Sequence, residues 1–434
     1  MLPALGRVLR EYAIQIRDSG RNPRLYLWGM FLCGLGQSIF TLLFNLYLRS
    51  LGLGDSNIGQ ILSKISLGAA VAALPAAFLF RRLPARTLLV GSGVLAAAGA
   101  ALQASLTAPE LLLLVAFLSG MVLTMFRLSI APVAMREVGP EARPFLFSAS
   151  FGVFFISAIL GSLVGGALPH FFRAFVATDR LALRGSLVVG AAMTLLSTLP
   201  FLAMRPRAAA RPTTPGSAAE PDRPARTLHP IRDLLEIDWA LHLKLILPAA
   251  LIGLGAGLII PFLNLYFRDR FGLTEVQIGI LFSVMQGFMV VGNLFGPAVS
   301  KRLGLVRGVI WTQLASVPFM VVLAVSSFFP LVMVSFFLRG GLMNMNQPLT
   351  SHFAMEVVSE RDHAITNSLL SLSWFLAWSV SADIGGALIQ RKGYTEPLLI
   401  AAALYVAASV LYWAFFRNVE EVRVPRAEVE IPEA

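Results

Sequence analysis

The sequence predicts an all-α membrane protein in which twelve transmembrane helices form two parallel repeats of six helices each. The first supporting observation is composition, because 56% of the 434 residues are hydrophobic and only 14% are charged, whereas a soluble domain carries roughly 25% charged residues. The second is a series of apolar runs, each about as long as the roughly 20 residues that cross a bilayer. The third is an internal repeat on the two sides of one long hydrophilic segment, residues 205–238.

The first 24 residues form a basic segment ahead of the first apolar run. Leu5, Leu9, Tyr12 and Ile16 recur at helical spacing, with arginines between them. This pattern is typical of a short helix that lies on an anionic membrane surface. A frayed basic tail explains the same composition, so both interpretations stay open.

Twelve apolar runs follow, and each is long enough to span the hydrocarbon layer. Six precede the hydrophilic segment and six follow it, which predicts one helix bundle over residues 25–203 and a second over 241–416. Pro261, which lies near three glycines, is expected to break the seventh span. The predicted spans are 25–48, 57–80, 86–107, 110–135, 144–169, 181–203, 241–267, 275–299, 305–327, 329–355, 364–389 and 397–416.

The hydrophilic segments predict the orientation in the membrane. Residues 204–240 are rich in Pro, Ala and Arg, a composition that cannot form a packed core and predicts a disordered linker. Most Lys and Arg residues outside the spans lie on the side of this linker and the two termini. By the positive-inside rule, the N-terminal segment 1–24, the linker and the tail 417–434 are therefore expected in the cytoplasm of a plasma-membrane protein.

An internal repeat relates the two bundles. Asn45-Leu46-Tyr47-Leu48-Arg49 matches Asn264-Leu265-Tyr266-Phe267-Arg268 at an offset of 219, and Gly165-Gly166-Ala167-Leu168 matches Gly385-Gly386-Ala387-Leu388 at an offset of 220. Because each repeat has an even number of spans, both begin on the same side of the membrane, and such repeats place a solute site at mid-membrane between them. The recurrence of Asn45 and Asn264 indicates a shared structural role at the ends of two helices.

Two short motifs carry a family resemblance. The loop after the second span of each half reads Ala76-Ala77-Phe78-Leu79-Phe80-Arg81-Arg82-Leu83-Pro84 and Gly296-Pro297-Ala298-Val299-Ser300-Lys301-Arg302-Leu303-Gly304, and span five contains Gly161-Ser162-Leu163-Val164-Gly165-Gly166. With its two six-span repeats, the chain resembles the major facilitator superfamily. Arg82 and Arg302 match the basic position of the family's loop motif, while Arg81 and Lys301 reverse the charge of its acidic position. The resemblance implies the two-bundle fold and transport of a small molecule, and the span-five glycines resemble those of the family's antiporters.

Four charged residues lie within the predicted spans: Lys64, Arg127, Arg339 and Asp383. A charge there costs at least ~2.5 kcal/mol on insertion scales and usually faces a cavity or a partner. Arg127 and Arg339 are predicted to bind an anionic solute group, with structural hydrogen bonding or an intramembrane ion pair as the alternative. Lys64 is predicted either to bind solute or to snorkel. Asp383 is predicted to carry a coupling proton, unless it neutralises a basic residue or is simply hydrated.

Uncharged polar and aromatic side chains complete the predicted binding site. Arg127 ends a small and polar stripe with Gly120 and Thr124, which the helical spacing places on one face. Two tryptophans one turn apart in span eleven offer an aromatic wall for an amphipathic solute, although packing is the more common use of such a pair. The uncharged binding candidates are Gln37, Asn346, Gln347, Trp374 and Trp378.

Charged residues at the cytoplasmic helix ends are the candidates for an inner gate. His352 and Glu356 are one turn apart at the end of span ten, which predicts a gating charge cluster, with a proton relay as the alternative. The corresponding loop of the first half contains Glu137. By the family resemblance, Arg82 and Arg302 contribute to the same gate.

These observations predict a secondary transporter that moves a small anionic or amphipathic organic solute by alternating access. Proton-coupled efflux is the first hypothesis, and uptake or facilitated diffusion of an organic anion and lipid flipping are the alternatives. A polytopic membrane enzyme is disfavoured, because the spans contain no cluster of acids, histidines or nucleophiles. The expected partners are the solute and the bilayer, with no cofactor, no metal and no nucleic acid, and the expected state is a monomer.

Overall fold

The computed structural model describes residues 20–129, 133, 143–205 and 237–419, with no description of the side chains at 74–82, 127, 143, 144 and 364. Within these residues the regular secondary structure is helical throughout. The predicted surface helix of residues 1–24 and the predicted linker lie mostly outside the described residues, as does nearly all of the tail.

The first set of helices contains six elements of membrane-spanning length. The fifth ends at Phe172, and the sixth is interrupted once near its end. Their bounds are α1 Arg21–Ser50, α2 Asp55–Arg82, α3 Ala85–Ser105, α4 Pro109–Arg127, α5 Arg143–Phe172, α6a Asp179–Leu196 and α6b Thr198–Leu202.

The second set repeats this order. A 3-10 turn over Ile260–Phe262 divides its first element, as expected from Pro261, which cannot donate a backbone hydrogen bond. The bounds are α7a Trp239–Ile259, α7b Leu263–Phe271, α8 Glu275–Leu303, α9 Leu305–Val325, α10 Phe329–Val357, α11 His363–Lys392 and α12 Thr395–Phe416.

Among the described residues, ten helices are long and apolar enough to cross a membrane, judged by length and composition. Large apolar side chains on their surfaces, such as Leu294 with 74% exposure, fit a lipid-facing exterior. Four exposed tryptophans, Trp28, Trp239, Trp311 and Trp413, lie near the helix ends on the side of residues 20 and 419. Tryptophan is enriched at membrane–water boundaries, so these residues mark one edge of the membrane zone.

Local signals explain where several helices begin and end. Thr274 forms a capping box with Gln277 at the start of α8, and the Asp238 side chain accepts from two backbone N–H groups at the start of α7a. Gly272 ends α7b in the left-handed conformation (φ 65°) that favours glycine. The predicted spans agree with the observed helices to within a few residues, except that α4 ends at Arg127 and residues 130–132 and 134–135 of the predicted fourth span lie outside the described residues.

The two sets of helices are built alike in atomic detail. The Tyr47 hydroxyl donates to the Ala104 carbonyl oxygen at 2.7 Å, and the Tyr266 hydroxyl donates to the Leu323 carbonyl oxygen at the same distance. The two tyrosines are related by the offset of 219, and their acceptors lie within one residue of the offset of 220 that holds in that part of the sequence.

We call the surface between the two sets the seam. We call one end of the molecule the termini end, because residues 20, 205, 237 and 419 lie there. We call the opposite end the far end; it contains the connections from α1 to α2, α3 to α4, α5 to α6a, α7b to α8, α9 to α10 and α11 to α12.

Candidate functional site: the seam between the two helix sets

Two asparagines join α1 to α7b across the seam. Asn45 Nδ2 donates to Asn264 Oδ1 at 3.1 Å and to the Pro261 carbonyl oxygen at 2.6 Å. Asn264 Nδ2 donates in return to the Leu42 carbonyl oxygen at 2.8 Å. The two carbonyl acceptors, Leu42 and Pro261, are repeat equivalents, just as the two asparagines are. Both asparagine side chains are only 3% exposed. The contact is therefore symmetric about an axis that passes between the two residues.

Paired glycines allow α2 to cross α11, and α5 to cross α8, at close range across the seam. A Cβ atom on Gly59 of α2 would lie 3.0 Å from Gly386 Cα of α11, and one on Gly279 of α8 would lie 2.9 Å from Gly166 Cα of α5. Real Cβ atoms are not found so close to backbone, so only glycine fits at these positions. The two crossings are equivalent under the offset of 220, and the repeated Gly165–Gly166 motif of the sequence supplies one side of each.

An ion cluster ties α5 to the start of α8 at the far end. The Glu275 side chain is 3% exposed and accepts from Arg173 Nη2 and from Arg268 Nη1, each at 3.0 Å. Arg173 also pairs with Asp179 of its own set at 2.7 Å. The hydrogen bond to Glu275 is the main cause of a raised pKa at Arg173. The carboxylate therefore has one partner in each helix set.

A second cluster ties α1 to α7b and to the α11–α12 connection. Arg49 pairs with Asp55 within the first set and with Asp269 across the seam at 3.4 Å. The Tyr394 hydroxyl donates to Asp269 Oδ2 at 2.6 Å, and burial together with this bond raises the pKa of Tyr394. Arg49 and Arg268 are repeat equivalents, as are Asp55 and Glu275. The far end of the seam is thus closed by matched sets of contacts.

Polar side chains of α1 continue along the seam towards the termini end. Gln37 and Thr41 precede Asn45 by two turns and one turn of helix, so the three share one face. Because Asn45 contacts α7b, this face lies on the seam; Thr41 is exposed and Gln37 is partly exposed. The predicted position of Gln37 in the solute path agrees with this placement, and its binding role stays a prediction.

On α10 the two neighbouring amides point in different directions. Asn346 is 6% exposed and donates to the Val309 carbonyl oxygen and to Thr312 Oγ1 of α9, both at 3.0 Å. Gln347 is exposed, about 100° further round the helix. Asn346 therefore packs inside the second set in this structure, while Gln347 is free to meet a solute. Both binding assignments stay predictions.

The tryptophan pair of α11 faces α7a. The Trp374 and Trp378 ring centroids are 5.7 Å apart, and both side chains are partly exposed. Glycines on α7a allow the close approach, because a Cβ on Gly253 or Gly257 would lie 2.9–3.5 Å from atoms of these two tryptophans. The pair is thus an aromatic wall anchored to α7a, which suits either packing or an amphipathic solute.

Three polar residues on one side of α8 were not predicted from the sequence. Ser283 donates to the Ile159 carbonyl oxygen of α5 at 2.8 Å, which places its face on the seam. Gln286 lies about one turn further on, and its Oε1 is buried and makes no hydrogen bond to any described residue. Asn293 lies two turns beyond Gln286 and is partly exposed. The signal was the spacing of polar residues along one face, which a search for charges does not detect.

Arg339 lies inside the second set of helices. Its side chain is 5% exposed, Nη2 donates to the Tyr405 hydroxyl of α12 at 3.0 Å, and the guanidinium lies over the Tyr405 ring at 5.6 Å. Tyr405 in turn packs against Gly255 of α7a. The arginine therefore serves packing in this structure, which is closer to the structural alternative than to solute binding. Its role in binding or gating stays a prediction.

The other two described intramembrane charges lie on exposed surfaces. Asp383 is exposed and lies one turn after Ser379 of α11, whose hydroxyl contacts Ser63 of α2 across the seam. Lys64 is exposed on α2, seven residues before Val71, which is 48% exposed. The face of Lys64 fits contact with lipid and its headgroups, where a long lysine side chain reaches water. Solute binding by Lys64 and proton coupling by Asp383 stay predictions.

The Arg127, Arg82 and Glu137 assignments fall on positions whose side chains lie outside the description. The stripe next to Arg127 can be placed, however. Thr124 Oγ1 donates to the Gly120 carbonyl oxygen at 3.0 Å, and a Cβ on Gly120 would collide with the Ile65 backbone of α2. This stripe packs α4 against α2 at Gly120 and Thr124, and the binding role of Arg127 stays a prediction.

The remaining gate candidates lie at the termini end. His352 Nε2 and Glu356 Oε1 are 3.3 Å apart, with 63% and 49% of the side chains exposed. Arg302 and Lys301 are exposed at the end of α8. Within the described residues no group of three or more His, Cys, Asp or Glu could hold a metal ion. The gating roles stay predictions.

Comparison with known proteins decides the family. The sequence profile of the Major Facilitator Superfamily matches residues 26–304 and 245–433, which together cover nearly the whole chain. The chain belongs to the Major Facilitator Superfamily. Members with this fold are membrane transporters, and the two six-helix repeats of the present chain are those of the superfamily. The comparison with curated protein sequences found no match.

Solved structures of superfamily transporters share the fold. A bacterial homolog of the human lysosomal transporter Spinster, inward-facing and unoccupied, gives a TM-score of 0.76 at 13% identity, with 94% of this chain and 98% of that chain covered. The nucleoside transporter NupG gives 0.66 at 16% identity, covering 94% and 99%. A bacterial homologue of the iron transporter ferroportin, inward-facing, gives 0.66 at 18% identity, covering 91% and 98%. These likenesses show the fold alone.

Proposed function

We propose that this chain is a secondary transporter that moves a small organic solute along the seam by alternating access. The observation that carries the proposal is the symmetric closure of the far end, where Asn45 and Asn264 bind each other and each other's backbone. Such a contact can break and reform as two rigid helix sets rock about their common axis. Transport then needs a second arrangement in which the far end is open.

The solute we propose is amphipathic, with hydrogen-bonding groups and an apolar or aromatic part. Amide side chains at Gln37, Gln286 and Gln347 and the tryptophan pair of α11 support this chemistry, because a few convergent polar groups in an aromatic site orient such a ligand. An anionic group on the solute would require a basic partner, and Arg127 is our candidate for that partner. Selectivity for anions thus rests on Arg127 alone among the intramembrane arginines.

Direction and coupling complete the proposal. We propose efflux driven by proton antiport, in a plasma membrane with the termini end in the cytoplasm. The distribution of Lys and Arg and the glycine motif of α5 support this choice. The motif's Gly166 contributes to closing the far end, a requirement that importers share. A proton gradient test is therefore needed to separate efflux from uptake.

A ligand screen followed by flux measurement tests the function. Purified protein is melted in the presence of neutral, anionic and cationic amphipathic compounds, because a ligand that binds the folded state raises the melting temperature. Hits are then assayed for movement across proteoliposomes with and without a pH gradient. We expect hits among neutral or anionic amphipathic compounds and flux that a gradient accelerates. Hits confined to cations contradict the solute class, and flux of no hit in either direction contradicts transport.

A further inference from the structure

A buried histidine joins the starts of α7a and α11 at the termini end. His242 and Thr366 are each 1% exposed. His242 Nδ1 lies 2.8 Å from the Asp238 carbonyl oxygen, and Nε2 lies 2.9 Å from Thr366 Oγ1. The Thr366 hydroxyl also lies 2.9 Å from the Asp362 carbonyl oxygen, one turn earlier in the chain. The two ring nitrogens, the hydroxyl and the two carbonyls form a continuous chain of hydrogen bonds.

Counting donors in this chain shows that one proton decides its state. A carbonyl oxygen only accepts, so Nδ1 must carry a hydrogen towards Asp238. The Thr366 hydroxyl has a single hydrogen. If it is given to Asp362, Nε2 must also donate, and the ring is an imidazolium with all three hydrogen bonds made. If the ring is neutral, Thr366 must turn its hydrogen to Nε2, and the bond to Asp362 is lost.

We propose that His242 is a proton-binding site in which an added proton on Nε2 completes this hydrogen-bond chain and fastens α7a to α11. The ligand is the proton itself, supplied from the aqueous phase at the termini end, where Asp238 is exposed next to the buried ring. Histidine is the side chain that changes charge near neutral pH. The proposal concerns proton binding within the second helix set and does not rest on the proposed transport function.

Other ionisable groups lie on α7a near His242 and on the ends of α11 and α12, the helices that pack against α7a. The exposed Lys244 lies on α7a itself, and α7a packs on α11 and α12. The Asp362 carboxylate accepts from the Ser359 hydroxyl at 2.7 Å and is thereby held beside the start of α11. The groups to be considered are Asp238, Lys244, Glu360, Arg361, Asp362, His363, Tyr412 and Arg417. The test must therefore separate His242 from its neighbours.

A variant in which His242 is the only histidine isolates its signal. The chain has five histidines, so His170, His229, His352 and His363 are changed to Gln and the histidine ring is labelled with nitrogen-15. We expect the spectrum of His242 to show the imidazolium, with both nitrogens protonated, at pH 6, and to lose one proton as pH rises. A ring that stays neutral between pH 5 and pH 8 overturns the proposal.

Thermal stability gives the second readout. In the same background, the melting temperature of the His242 protein should rise relative to the His242→Gln protein as pH falls from 8 to 5.5, by on the order of 2 °C. The sign follows from the proposal itself: if the added proton makes a hydrogen bond that only the folded protein offers, protonation stabilises the folded state at low pH. Thr366→Val should lower stability and remove most of the pH-dependent difference. A difference that is equal at every pH means a purely structural histidine and contradicts the proposal.

Discussion

Replacing Asn45 by Ala removes two hydrogen bonds that exist only while the far end of the seam is closed. The lost bonds run from Nδ2 to the Pro261 carbonyl oxygen and to Asn264 Oδ1, and they lie in a site that is 3% exposed. A neutral buried hydrogen bond contributes about 1 kcal/mol. The closed state should therefore lose about 2 kcal/mol relative to the open state, which shifts the ratio of the two by roughly 30-fold.

The population of the closed state can be read from a distance between the two helix sets. Spin labels at Ala177 and Arg391, both exposed at the far end, are introduced after Cys33, the single native cysteine, is changed to Ser. Double electron–electron resonance should show a longer distance component in the Asn45→Ala protein that is weak or missing in the parent. Asn344→Ala is the matched control, because Asn344 donates to Gly340 of its own helix at 3.2 Å.

A double-mutant cycle sharpens the same test. Asn264→Ala should open the far end to a similar extent, since it loses the bond to the Leu42 carbonyl and the bond from Asn45. Because the two asparagines share one hydrogen bond, the double variant should fall short of additivity by about 1 kcal/mol. Distance distributions that are the same in the parent and in both single variants refute the reasoning.

Three further perturbations follow from the same geometry. Gly59→Val places a Cβ 2.6 Å from a carbonyl oxygen of α11, so the far end should fail to close and flux should stop, whereas Gly91→Val, with nothing within 4 Å, should leave both unchanged. Arg173→Gln leaves the Glu275 carboxylate paired with Arg268. The closed state should then lose about 1 kcal/mol, so the population of the open state should increase only about five-fold. The increase should be smaller in high salt, which screens the ion pair. Gln347→Leu should weaken solute binding about five-fold for one lost hydrogen bond of about 1 kcal/mol with an unchanged melting temperature, whereas Asn346→Leu should lower the melting temperature. Three results would contradict these assignments. They are equal flux in the Gly59→Val and Gly91→Val proteins, an effect of Arg173→Gln that does not depend on salt, and equal melting temperatures of the Gln347→Leu and Asn346→Leu proteins.

The helices and their repeat could be predicted because both follow from constraints that act along the chain. Lipid demands about twenty apolar residues per crossing, which fixed the spans to within a few residues. The offsets of 219 and 220 then related Asn45 to Asn264 and Gly165–Gly166 to Gly385–Gly386. The contacts that these residues make across the seam could not be predicted. A repeat shows which positions are equivalent, but it does not show how the two helix sets dock on each other.

The direction of each charged side chain was the least predictable feature. The cost of placing a charge in lipid is the same whether the residue faces a cavity, a partner helix or the headgroups. Arg339 donates to Tyr405 inside the second set, although its buried Nε has no hydrogen-bond partner among the described residues, and Lys64 lies on an exposed face. Gln286 carries no charge and so gave no such signal, although its buried oxygen has no hydrogen-bond partner among the described residues.

A reversible cross-link across the seam tests alternating access most directly. Ser63 Oγ of α2 and Ser379 Oγ of α11 are 3.0 Å apart, so cysteines at these two positions, in a Cys33→Ser background, should form a disulfide when the far end is closed. Flux of a solute found in the ligand screen should stop on oxidation and return on reduction. Undiminished flux through protein whose cross-link has been verified would mean that the two helix sets do not move apart at the far end during transport.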